Sequence, residues 1–202
     1  AAPLRVCGVT PDIDSEKKLE LQLSERASYD FLSQLYNRST FERELKSEIE
    51  RSAHAKVAVL FIDVDDFKFI NDRFGHSVGD EVIKYVAGCI KQRVKGSGFA
   101  GRFGGDEFVL CITDPKQIEE IESLSLDLID ELYEGYHSEL ANVSINVKAS
   151  IGIAFFPEHG DDSNKVVAAA DEAMYFVKKN GKANYHIYQP EDSEMEDLQH
   201  TL

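Results

Sequence analysis

The sequence has no apolar run long enough to cross a bilayer and opens with no signal-peptide pattern, so no membrane contact by this segment and a cytoplasmic location are expected. Positive charge is scarce: 22 Lys and Arg stand against 37 Asp and Glu, for a formal net charge of −15. That balance disfavours a nucleic-acid duplex or an anionic membrane surface as a partner. It also disfavours an RNA-binding α+β sheet, which needs a basic face and exposed strand aromatics. Cysteine is sparse. The three copies, Cys7, Cys89 and Cys111, show no C-x-x-C spacing. Cys89 and Cys111 lie in apolar periodic segments, which predicts buried free thiols in a reducing compartment. No histidine cluster of metal-ligating spacing is present.

What is present is enough for one core. The chain has 202 residues, 43% of them apolar, which suits a single domain with appendages. Residues 57–62 are six consecutive apolar positions bounded by charge, the pattern of a central strand covered on both faces. Phe41, Leu45 and Ile49 give a first helix its apolar face, and Ser39 with Glu42 reads as its capping box. Val78, Val82, Val86, Ile90 and Val94 form a longer stripe of the same kind. Strands follow at 99–103 and 107–112, a helix at 117–132, a strand at 145–155, a helix at 166–179 and a short strand at 185–188. Hairpin-linked antiparallel strands mixed with crossover helices predict an α+β fold, an antiparallel sheet with helices packed over it.

Two polar stretches interrupt this framework. In the run from Gly101 to Leu110, Gly104 and Gly105 supply the freedom of a tight hairpin turn and an unobstructed approach for a bulky polyanion. Asp106 and Glu107 at the turn exit are hard oxygen donors of the kind that hold Mg²⁺. An ordinary solvated turn is the competing reading of the same residues. The second stretch, Asp63-Val64-Asp65-Asp66, follows the apolar run directly. If the hairpin pairs beside that strand, Asp63 and Asp106 face each other, and two carboxylates at short range repel unless a cation lies between them.

Together these stretches resemble the GGDEF family, the diguanylate cyclases. The likeness spans roughly residues 26–188. Residues 30–38 (Asp-Phe-Leu-Ser-Gln-Leu-Tyr-Asn-Arg) resemble the family's entry motif D-x-L-T-G-L-x-N-R. Residues 149–154 and 170–184 resemble its closing strand and last helix. The resemblance implies the ferredoxin-like palm of nucleotidyl cyclases, and condensation of two GTP molecules into cyclic di-GMP and pyrophosphate by a homodimer. It implies a Mg²⁺ site, with Mn²⁺ as a substitute ion, on Asp63, the Val64 carbonyl, Asp106 and Glu107. Asp106 is also the implied proton acceptor, although a metal-bound carboxylate at its ordinary pKa is a poor base.

The resemblance further implies that Lys68, in a loop wrapping the phosphates, stabilises transition-state charge, and that Asn71 and Asp80 read the guanine edge. A carboxylate accepts from guanine N1–H and N2–H, which adenine does not offer. Asp80 has a second reading as a helix cap. His76 reads equally as a substrate neighbour or a structural loop residue. Lys178 and Lys182 match cations that reach the terminal phosphates, with Lys182 where arginine is common; a lysine there gives a point charge instead of a fork. Arg102 either anchors the hairpin to an acidic neighbour or contacts product. Phe67, Phe69 and Phe74 read as packing residues and not as a base-stacking platform.

Two departures from the family pattern stand out. Ser33-Gln34 replaces Thr-Gly in the entry motif, and glutamine does not substitute cheaply for glycine at positive φ. The inhibitory R-x-x-D motif before the turn is here Lys95-Gly96-Ser97-Gly98, which predicts absent or weak product inhibition through that site. The domain is expected over residues 29–189. Residues 1–28 read as the end of an upstream PAS-type sensor and a linker, in which Leu19, Leu23 and Ala27 form one stripe of a signalling helix or of a loosely docked amphipathic one. Residues 190–202 read as an acidic tail or linker. The rival to a working cyclase is a silent module that binds GTP or cyclic di-GMP and regulates a partner. The intact acid set of Asp63, Asp106 and Glu107 favours the enzyme.

Overall fold

The computed structural model describes residues 28–51 and 56–190. The expected linker stripe at Leu19, Leu23 and Ala27, the sensor-like residues 7–18 and the acidic residues 191–197 lie outside the described residues. In chain order the elements are β1 (Tyr36–Asn37), α1 (Arg38–Glu50), β2 (Val57–Val64), α2 (Phe67–Phe74), α3 (His76–Arg93), β3 (Gly98–Gly104), β4 (Glu107–Thr113), α4 (Ile118–Glu134), β5 (Tyr136–Ser138), β6 (Val143–Ile145), β7 (Ala149–Phe156), α5 (Ser163–Lys179) and β8 (Tyr185–Ile187).

The main sheet has six strands in the order β1-β3-β4-β2-β7-β8. Its centre is antiparallel, and both edge strands pair parallel to their neighbours. Every residue of β2 is buried, because helices cover both faces. Strand alternation divides its side chains between them. Ala58, Leu60, Ile62 and Val64 join the core under α3 and α4. Val57, Val59 and Phe61 join Phe41 and Leu45 of α1 and Val166, Ala170 and Met174 of α5 on the other side. The α3 stripe behaves as its spacing predicts: Val78, Val82, Val86, Ile90 and Val94 are all buried. Cys89 and Cys111 are buried free thiols.

Three local expectations are corrected. The cap of α1 is Asn37, not Ser39. The Asn37 Oδ1 accepts from the Thr40 amide at 3.0 Å, while Glu42 turns to the Arg38 guanidinium at 2.8 Å instead of closing a box. The strand expected over 145–155 is two strands. The Val147 amide turns to the Leu132 carbonyl, which breaks the ladder and leaves β6 to pair with β5 in a separate hairpin. The phosphate loop expected around Lys68 is the short helix α2, on which Ile70 is buried, with Phe67 and Phe74 packed partly buried against the same core.

Candidate active site

The antiparallel pairing of β2 with β4 sets Asp63 directly opposite Glu107. The period that sends Phe61 toward α1 and α5 sends both acids to that face as well. The intervening turn is pinned to β2, since the Val64 amide donates to the Asp106 carbonyl at 3.2 Å. Of the two turn glycines only Gly105 has positive φ, at +43°. Gly104 instead ends β3 just past a register shift. A Cβ on either would meet nothing within 4 Å, so the expected open approach to the turn backbone is present.

Asp63 is only 5% exposed. Burial pushes its carboxyl up to about 6; the Lys178 ammonium pulls it back, and the charges of Asp106 and Asp65 push it further up. Lys178, in the last turn of α5, lies 2.6 Å from Asp63 Oδ2. Glu107 is also held above the usual carboxylate range, first by burial and then by the charges of Asp171 and Asp106. Four residues after Lys178, Lys182 reaches Asp66 Oδ1 at 2.7 Å. Both lysines thus rest on the acidic cluster and cover its charge.

Arg102 anchors the hairpin. Its guanidinium meets Asp30 Oδ1 at 3.0 Å and donates from Nε to the Gly105 carbonyl at 3.0 Å. Burial opposes ionisation of Asp30, yet the Ser33 amide, the Ser33 hydroxyl and Arg102 together hold its carboxyl below the usual range. The entry motif is therefore the socket of the turn. Gln34 keeps the left-handed backbone a glycine would favour, at φ +56°, and its side-chain amide donates to the Phe31 carbonyl at 2.7 Å.

Asn71 is brought against α3: a Cβ on Gly79 would lie 2.0 Å from the Asn71 Oδ1, so only glycine there lets the carboxamide sit beside the turn that carries Asp80. Asp80 is the fifth residue of α3 and exposed, which overturns its alternative reading as a cap; Gly75 holds that position. Lys68 and His76 are exposed in the first turns of α2 and α3. Phe69 is 60% exposed, unlike its packed neighbours Phe67 and Phe74, and so departs from a packing role.

Sequence patterns gave no role to Asp65, Asp66 or Asp171, which the fold adds to this neighbourhood. Asp65 is 4% exposed and takes hydrogen bonds from the Ser150 hydroxyl at 2.8 Å and the Ala183 amide at 3.0 Å. No spacing rule could have found partners 85 and 118 residues away.

Among the described residues, no three His, Cys, Asp or Glu side chains form a ready-made metal cage. Mg²⁺ does not need one, because it keeps several waters and uses one or two carboxylates with substrate phosphates. The donors Asp63, Asp106, Glu107 and the Val64 carbonyl are hard oxygens at one strand end. A buried acid crowded by like charges and countered by an ammonium fits a cation of this class, Mg²⁺ or Mn²⁺.

The family model described as "Diguanylate cyclase, GGDEF domain" matches residues 27–184. The diguanylate cyclase DosC of Escherichia coli (strain K12) is 34% identical over 165 residues, covering 79% of this chain and 35% of its own. The cyclic di-GMP phosphodiesterase PdeR of the same strain is 30% identical over 186 residues, covering 92% of this chain and 28% of its own. The chain thus spans about a third or less of these relatives. Among solved structures, the GGDEF domain of TpbB (YfiN) from Pseudomonas aeruginosa superposes with a TM-score of 0.80 at 30% identity, covering 84% of this chain and 99% of that one. The GGDEF domain of DgcB from Caulobacter crescentus, solved in complex with c-di-GMP, gives 0.75 at 27% identity, covering 80% and 95%.

Proposed function

Because the chain belongs to the GGDEF domain family of diguanylate cyclases, we propose that residues 29–189 form a domain that condenses two GTP molecules into cyclic di-GMP with release of two pyrophosphates. The observation that carries this is the meeting of Asp63 and Glu107 on adjacent strands with Asp106 at the turn between β3 and β4. Like charges gathered at a sheet end, under a turn open to a polyanion, are costly unless they serve a cation and a phosphate chain.

In each of two steps a 3′-oxygen attacks the α-phosphorus of the other nucleotide. The new P–O bond forms as the bond to the β-phosphate bridging oxygen breaks, and the hydroxyl proton leaves to a carboxylate, assigned here to Asp106. Bound by Asp63, the Val64 carbonyl, Asp106 and Glu107, Mg²⁺ would neutralise phosphate charge. Lys178 and Lys182 exchange Asp63 and Asp66 for the terminal phosphates. Lys68 sits in the first turn of α2, where the earliest amides lack intrahelical acceptors, and completes the charge around the phosphates with His76 nearby. Asn71 and Asp80 select guanine. Gly104 and Gly105 give the substrate room.

One nucleotide per protomer leaves each without a reaction partner, so catalysis requires a homodimer. An upstream sensor domain would supply its control. The Lys95-to-Gly98 segment lacks the carboxylate of an inhibitory product site, so turnover continues as product accumulates. A regulatory module is the second reading, favoured by the similarity to a relative named as a phosphodiesterase.

The test is mass spectrometry of products after incubation with GTP and Mg²⁺, beside Asp106→Ala and repeated with a fused dimerising helix. Cyclic di-GMP from the unaltered chain alone supports the cyclase. No product in any format sinks it and promotes the regulatory module.

A further inference from the structure

The segment after α5 is strained. Lys182 and Ala183 both have positive φ, at +63° and +49°, and neither is glycine. The left-handed region is unfavourable for a residue that carries a Cβ, so something must hold the pair there. Three hydrogen bonds do so. The Lys182 amide donates to the Val177 carbonyl at 3.0 Å. The Ala183 amide donates to Asp65 Oδ2 at 3.0 Å, and the other oxygen of that carboxylate takes the Ser150 hydroxyl of β7 at 2.8 Å. The backbone of Asp65 is fixed in turn, its amide donating to the Lys148 carbonyl at 2.9 Å. A buried carboxylate at the exit of β2 therefore clamps a loop 118 residues away, and the residue beside the clamped amide is Lys182.

We propose that Asp65 is a positioning residue: with Ser150 it locks the strained turn at Lys182 and Ala183 so that the Lys182 ammonium stands over the acidic cluster, where a substrate phosphate is to be met. Asp65 itself spends both carboxylate oxygens on protein donors and acts through the loop. This rests on the GTP-binding reading above. Without the clamp the turn relaxes toward right-handed backbone, and Lys182 becomes one conformer among many.

The experiment is a double-mutant cycle on the full chain, with KM for GTP and kcat for cyclic di-GMP, and hydrogen exchange of the 180–184 amides in the absence of nucleotide. Asp65→Ala is expected to raise KM about tenfold, the size of one lost charge-assisted phosphate contact, with a smaller change in kcat, and to speed exchange at Ala183. In a Lys182→Met background the same substitution should change KM by less than about twofold, because its route is already gone. Asp65→Asn keeps an acceptor for Ala183 and an amide for the Ser150 oxygen, so it should restore both KM and exchange; Ser150→Ala should give an intermediate effect.

Additive effects in the cycle, or an Asn variant as impaired as the Ala variant, would overturn the positioning role in favour of a general structural or a charge role. If the unaltered chain binds no GTP, the cyclase reading fails; faster exchange at Ala183 in Asp65→Ala would still support the clamp, and unchanged exchange would overturn it too.

Discussion

Replacing Asp63 by asparagine should make the nucleotide-free protein more stable at neutral pH while ending its chemistry. Asp63 lies 5% exposed at the end of β2, and its carboxyl is raised from 3.8 to about 6, mainly by burial, with Asp106 and Asp65 adding to the rise against Lys178. About two pKa units at about 1.4 kcal/mol each give roughly 3 kcal/mol as the cost of ionising Asp63 in the folded state relative to the unfolded chain. The sign follows from the direction of the shift. The unfolded chain loses the Asp63 proton first, so the stability is fully present below about pH 4 and is lost as pH rises through about 6. Asparagine mimics the protonated acid and keeps an oxygen for Lys178. Asp63→Asn is therefore expected to match the unaltered chain near pH 4 and to exceed it by about 1.5–3 kcal/mol at pH 7.5.

Thermal or urea unfolding without divalent metal at several pH values measures the gap directly, with about 2–4 °C of Tm per kcal/mol for a chain of this size. Added Mg²⁺ should raise Tm of the unaltered chain and not of the variant. A variant less stable than its parent at pH 7.5, or a gap that does not change between pH 4 and 7.5, would refute the reasoning.

Three further outcomes are expected. Lys178→Met removes the ammonium 2.6 Å from Asp63 and should lower stability at pH 7.5 by about 1–2 kcal/mol in urea unfolding, with less effect below pH 5 where Asp63 is protonated; it should also raise KM for GTP about tenfold. Restoring the inhibitory motif by Lys95→Arg with Gly98→Asp should fail to create a tight product site, because a Cβ at position 98 would lie 1.8 Å from the Cys111 carbonyl oxygen; calorimetry with cyclic di-GMP checks binding, and unfolding should show a loss of about 2–3 kcal/mol from overpacking. Gln34→Gly relieves a left-handed glutamine at φ +56° at the expense of its bond to the Phe31 carbonyl and of a freer unfolded chain, so Tm should rise by only about 1–2 °C; a fall would show that the side-chain bond outweighs the strain.

Much of this arrangement was legible in the chain itself. The six apolar residues 57–62 announced a strand covered on both faces because only such a strand has no use for polar alternation. The four-residue spacing from Val78 to Val94 specified the buried stripe of α3, and the glycine pair before Asp106 marked the turn. The errors lay where a local signal met a tertiary competitor. Ser39 has capping chemistry, but Asn37 reaches the Thr40 amide first. Residues 145–155 have strand composition throughout, yet the Leu132 carbonyl draws off the Val147 amide and splits them. The segment carrying Lys68 is a loop in the expectation drawn from the family resemblance, whereas Ile70 is buried in the core and winds it into α2.

By itself, then, the sequence determined the family, the strand and helix inventory of the core, and the acids at Asp63, Asp106 and Glu107, since each of these depends on residue type and on spacings of a few positions. The tertiary structure alone decided that Asp63 faces Glu107, that Lys178 and Lys182 rest on acids far earlier in the chain, that Arg102 ties the turn to Asp30, and that Asp65 clamps Ala183. Those relations depend on sheet register and on which helix covers which face, and the packing of the whole core fixes them.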